Sequence, residues 1–135
     1  MSPRTHPCGI VEARTRLATA AAYLEVAELV LGEASEAEFS NVAAGLAVLA
    51  GIAASDAICC ARLKRLHRGN NHRESAELLE SATPNGKSLA ATFLRLLDIK
   101  DAAHYGVVTV TPTKAADAIK WANRLVDAAR TEVER

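Results

Sequence analysis

Aromatic residues are scarce in this chain: Phe, Trp and Tyr together make up 4% of 135 residues. Net charge is missing too, since 16 Lys and Arg balance 16 Asp and Glu. No global field draws the protein to nucleic acid, so any such contact must come from a local patch. There is no Gly-rich phosphate loop, no zinc-ligand spacing and no nucleophile elbow. The four histidines (His6, His67, His72 and His104) do not fall at ligand spacings, so neither a metal site nor a cofactor is expected. The N-terminal MSPRTHPCG lacks the apolar core of a signal peptide. Cysteine is limited to Cys8, Cys59 and Cys60. Adjacent helical residues point about 100° apart, so Cys59 and Cys60 are poorly placed to bond each other. Buried, inert thiols in a reducing cytosol are the expectation, and the protein is expected to be soluble and cytoplasmic.

What the chain does have is apolar bulk: half its residues are hydrophobic, with Ala and Leu dominant. Small side chains and strong helix formers predict closely packed helices rather than a sheet, and 135 residues suffice for one domain with a real core. Residues 1–8 hold two prolines and are expected to be a loose arm. From Ile10 the apolar positions Ala13, Leu17, Ala20, Leu24, Ala27 and Leu31 alternate by three and four, which predicts a long amphipathic helix up to Gly32. After a break over Gly32–Glu38, Ser40 or Asn41 is placed to cap a second helix running to about Arg68.

That second helix is the unusual one. Phe39 to Ser55 carries no charge, but the run is at the short limit for a membrane span, is Ala/Gly-rich and has Asp56 just beyond it, so a buried bundle helix is expected. Leu49, Ile52, Asp56, Cys59, Leu63 and Leu66 fall on one helical stripe. Asp56 interrupts a face expected to be dry and therefore needs a partner.

Asn71 is placed to cap a short third helix through Ser81, with Ala76 and Leu79 inward, before the Thr83-Pro84-Asn85-Gly86 turn. A fourth helix from Lys87 carries the stripe Leu89, Phe93, Leu96, Lys100, Ala103, ending at Gly106 before an extended linker over Val107–Val110. Lys100 on that apolar phase is the natural partner for Asp56. Thr111 caps a last helix with Pro112 in its first turn and Ala115, Ala118, Ala122, Val126, Ala129 and Val133 on its buried face. The predicted fold is all-α: an up-and-down four-helix bundle with one additional short helix, in a single domain.

Three groups carry candidate chemistry. Lys100 and His104 share a helix face, as do Asp101 and Tyr105, so a cation, an imidazole and a phenol near a helix end offer phosphate binding and proton transfer. The structural alternative is a helix C-terminus whose last carbonyls and dipole are satisfied by Lys100 and His104. Asp56 either fixes helix register through an ion pair or orients Lys100 or His104 from behind. Finally, Arg62, Lys64, Arg65, His67, Arg68, His72 and Arg73 form a basic run with no acid from Ala57 to Arg73. It is either a solvated helix end or a phosphate-binding patch, with Arg65, Arg68 and His72 as its binding residues.

The segment LLDIKDAAHYGVVTVTPTKAADAIKWANRLVDAA, Leu96 to Ala129, resembles the C-terminal half of a HEPN domain. AGIAASDAICCARL in the second helix and the following NNHRESAELL extend the likeness to roughly Ala43–Ala129, and it looks like the small actinobacterial branch of HEPN-like proteins. The resemblance implies an all-α bundle that forms homodimers. It also implies RNA or a nucleotide as ligand, and a cognate antitoxin or other partner protein. Active members of that family are metal-independent ribonucleases of toxin and defence systems, and others are non-catalytic binding modules. Their signature is Arg, four to six residues, then His. Here Lys100 stands for the Arg, Asp101 for the polar residue after it, and His104 for the His, with only three residues between. The resemblance makes Lys100 the phosphate-holding cation and His104 the general acid or base. Asp101 and Tyr105 would position these two, with Asp56 in support.

Overall fold

The computed structural model of the chain describes residues 4–32, 37–104 and 109–135, without the side chains of 37, 101, 102 and 104. The chain is all-α in character, with five helices and a small two-stranded sheet among the described residues. The elements in order are β1 (Thr5–Pro7), α1 (Ile10–Gly32), α2 (Ala37–Leu63), β2 (Arg65–His67), α3 (His72–Ala82), α4 (Gly86–His104) and α5 (Pro112–Glu134). The anticipated break at Gly32–Glu38 and the end of the fourth helix at Gly106 lie largely outside the described residues, as do positions 107 and 108 of the linker.

Helix α2 is the hub. It packs against α1, α4 and α5, and α1 and α4 each reach α5 as well. Its sequence explains the position: Ala43, Ala44, Ala47, Ala50, Ala53, Ala54 and Ala57 are all fully buried, and such small residues let three helices approach one backbone. The larger fully buried side chains fill what remains, among them Ile58, Leu79, Phe93, Leu96 and Leu125. Each such side chain contributes about 1.5–3 kcal/mol by leaving water. One 18-residue window in Glu38–Leu63 is apolar and long enough to cross a membrane, yet 72% of that window is buried inside the protein, as in a core helix.

Local signals read in the sequence hold at several ends. Asn71 caps α3 by accepting from the Glu74 N–H at 3.1 Å, and Thr111 caps α5 by accepting from that of Lys114 at 3.1 Å. Pro112 sits in the first turn of α5, where its missing N–H removes no hydrogen bond. Asn41 is different. Helix α2 starts at Ala37, so Asn41 lies within it, and its Oδ1 accepts from the Val110 N–H at the entrance to α5.

Three expectations are corrected. Residues 4–8 are no loose arm: β1 pairs antiparallel with β2, Thr5 opposite His67 and Pro7 opposite Arg65. The second helix stops at Leu63 rather than near Arg68, because Lys64 turns left-handed at φ 61° and releases the chain into β2. Cys60 is not a free thiol. It is bonded to Cys8, with the two Cα atoms 5.4 Å apart, which fastens β1 to the end of α2. Only Cys59 of the three stays free, and it is buried.

Candidate functional site

The stripe on α2 that carries Asp56 is not a dry core face. Leu49, Ile52 and Leu63 are half-buried like Asp56 itself, with Cys59 the one buried member of the stripe within α2, because α1, α4 and α5 take up the alanine faces of α2 and leave this one at the margin. Beside it opens a cavity of about 240 Å³. Ile52, Phe93 and Leu97 give it an apolar wall, Asp56 comes from α2 and Lys100 from α4, and the turn from His67 to His72 forms its rim.

The partner of Asp56 is Arg16 of α1, not Lys100. Arg16 Nε and its guanidinium Nη2 both reach Asp56 Oδ2, at 3.1 and 3.0 Å. The reason is hairpin geometry. Helices α1 and α2 follow one another in the chain and pack together, so positions at similar distances from their join come face to face, and Arg16 lies 16 residues before the end of α1 while Asp56 lies 19 after the start of α2. Lys100 is left lining the cavity, with its charge uncancelled by an ion pair to any described residue.

The structure splits the basic run. Arg62 pairs with Glu132 at 3.4 Å, and Lys64 donates to the Ala61 carbonyl at 3.2 Å. Arg65 is committed to Thr5, donating to its hydroxyl and its carbonyl, so it supports the strand pair and not the cavity. Arg68 and His72 do line the cavity, together with His67, whose Nε2 lies 3.4 Å from Glu74 Oε2. Of the anticipated site residues the fold therefore gathers Asp56, Lys100, Arg68 and His72. The side chains of Asp101 and His104, and the whole of Tyr105, lie outside the described residues. Sequence reasoning passed over Arg16, Asn70 and Ser75; the distance of Arg16 from the α1–α2 join was the signal that could have found the first.

No protein-family model matches this chain, and no curated protein matches it. The site has to be read from its own chemistry.

Burial pushes the Asp56 carboxyl above its ordinary value; the charge and hydrogen bond of Arg16, then the charges of Arg68 and His67, oppose this only in part. The folded state consequently holds the Asp56 proton more tightly than the unfolded chain. Its contribution to folding is complete below the unfolded carboxyl value of about 3.9 and is lost as pH rises through the folded value. Asp56→Asn should therefore gain on the native protein as pH rises. In thermal melts between about pH 3 and pH 7 the variant is expected to move from near parity to greater stability than the native protein. The opposite trend would mean that the Arg16 pair outweighs the cost of burial.

Among the described residues no three His, Cys, Asp or Glu side chains come together as a metal site would require. What the cavity does offer is two cations, Arg68 and Lys100, against one carboxylate whose charge Arg16 already balances from outside. Its chemistry suits an anion with an apolar portion.

Proposed function

We propose that this protein is an up-and-down four-helix bundle of HEPN type, with α3 as its additional short helix, that binds a phosphate-bearing nucleotide or RNA segment in the cavity between α2, α4 and the β2–α3 turn. The observation that carries this reading is the pairing of Asp56 with Arg16, which leaves Arg68 and Lys100 as a surplus of positive charge around a half-apolar pocket. Phosphate would take charge-assisted hydrogen bonds from those two side chains, and the base or sugar would lie along Ile52, Phe93 and Leu97.

Calorimetric titration with adenosine and adenosine 5′-monophosphate tests it. The monophosphate is expected to bind and adenosine to bind far more weakly. Arg68→Ala and Lys100→Ala should each cost about tenfold or more in affinity, as a charged hydrogen bond is worth roughly 1.5–3 kcal/mol. Equal affinity for the two compounds would sink the reading.

A second reading, metal-independent RNA cleavage, is favoured by one feature: Lys100 lines the cavity and position 104 is one helical turn further along α4. In it Lys100 stabilises the scissile phosphate and His104 transfers the proton. Metal-free cleavage of mixed RNA that disappears in His104→Ala would establish it. In both readings the bundle acts as a homodimer. Phe39 and Val42 are 46% and 50% exposed on the uncharged stretch of α2, and a second copy would cover them. Sedimentation of the native protein against Val42→Asp checks this, the variant running as the lighter species.

A further inference from the structure

Arg68 reaches the cavity from a turn whose local anchors, buried Leu66 before it and the His67–Glu74 contact beside it, leave the Arg68 backbone itself unheld from within the turn. The turn follows a three-residue strand, and left-handed backbone flanks that strand at Lys64 (φ 61°) and, just past Arg68, at Gly69 (φ 123°). The bonds that hold the Arg68 backbone come from the N-terminal residues 4–8. The Arg68 N–H donates to the Arg4 carbonyl at 2.9 Å, the Cys8 N–H donates to the Lys64 carbonyl at 3.0 Å, and Arg65 grips Thr5. The Cys8–Cys60 bond then closes the far end of this strap onto α2.

We infer that residues Arg4–Cys8 are a positioning strap for Arg68, and that cutting the Cys8–Cys60 bond with a dithiol releases the strap and weakens the cavity's grip on phosphate. The inference rests on the phosphate reading for its ligand, and on the strand pairing alone for its mechanics. In the step itself a dithiol gives two electrons and two protons. The Sγ–Sγ bond breaks, Cys8 and Cys60 become thiols, and the reductant becomes a disulfide. Cys8 is half-buried whereas Cys60 is fully buried, so the entering thiolate attacks at Cys8 and Cys60 leaves. The neighbouring Cys59 does not short-circuit this exchange: burial, then the Asp56 carboxylate, push its thiol up to about 12, so it stays protonated.

Two strands of three residues do not hold together without help, so losing the tether frees β1 and with it the acceptor for the Arg68 N–H. The cost falls on one wall of the cavity. Lys100 stands on α4 and Asp56 on α2, and no hydrogen bond or ion pair among the described residues joins either to the strap.

The test compares the oxidised protein with the same protein reduced by dithiothreitol, using Cys8→Ser as a second route to the open strap. Two readouts are needed. On reduction, amide hydrogen exchange at 65–70 should approach the unprotected rate while α5, which loses only what the lower global stability takes, stays the more protected, and affinity for adenosine 5′-monophosphate should fall by about tenfold or more. In Arg68→Ala, reduction should leave the remaining affinity unchanged, which a merely global loosening would not do. Unchanged exchange at 65–70, exchange after reduction no faster at 65–70 than in α5, or an equal redox effect in Arg68→Ala would each overturn the inference. If the oxidised protein binds no monophosphate but exchange at 65–70 still responds, the phosphate reading fails and the strap stands.

Discussion

Reducing the Cys8–Cys60 bond is expected to lower the melting temperature by roughly 14 °C. The bond spans 52 residues, including the whole of α1 and most of α2. Restricting a loop of that length in the unfolded chain stabilises the fold by about 4 kcal/mol on the chain-entropy account. A protein of this length unfolds with an entropy of about 280 cal/mol/K, and the ratio of the two gives the shift. Calorimetric scans with and without dithiothreitol, with thiols counted after each, measure it. Reduction is a cleaner comparison than Cys60→Ala, because Cys60 is fully buried and truncating it adds a cavity cost of its own. A shift of only about 2 °C would mean that α1 and α2 already pair in the unfolded ensemble, leaving the bond little entropy to remove.

The same bond marks where the sequence stopped being readable. Long helices announce themselves because each apolar position repeats the same information: the alternation from Ile10 gives α1 as Ile10–Gly32, and Thr111-Pro112 gives the start of α5. A three-residue strand repeats nothing. Thr5–Pro7 and Arg65–His67 are too short to show a period, and their pairing joins the N-terminus to the middle of the chain. Helical geometry correctly kept Cys59 from Cys60 but said nothing of Cys8, and the expectation of three buried, inert thiols followed from that silence. The Cys8–Cys60 bond overturns it for two of the three. Asp56 was a nearer miss. Its need for a cation follows from the stripe, and Lys100 does share its cavity, but which cation it takes depends on how α1 folds back on α2. Periodicity identifies faces, whereas partners are set by the distance of each residue from the loop that joins two helices.

Gly86→Ala is expected to destabilise the protein by about 3 kcal/mol, the upper end of what overpacking costs, and so to lower the melting temperature by roughly 10 °C. Gly86 opens α4 directly after the Thr83–Asn85 turn, where its N–H donates to the Thr83 carbonyl at 3.0 Å and the Thr83 hydroxyl holds Asn85 Oδ1 at 2.8 Å. A methyl group there would overlap the Glu80 carbonyl oxygen and lie 2.6 Å from its carbonyl carbon. Those atoms belong to the last turn of α3 and cannot rotate away, so α3 and α4 must part. Gly51→Ala is the control. Its methyl would also collide, but with the far end of the Leu96 side chain, which has other rotamers, and Leu125 Cδ1 is at an ordinary 3.4 Å. Alanine also gains up to about 1 kcal/mol over glycine inside a helix. That gain offsets much of the repacking, so Gly51→Ala should stay within about 1 kcal/mol of the native protein. The rank order is what urea unfolding must reproduce. If Gly51→Ala proved the more damaging, the tightest constraint in the fold would lie where α4 and α5 cross α2. If Gly86→Ala is, it lies at the α3–α4 corner, beside the short helix whose first residue lines the cavity.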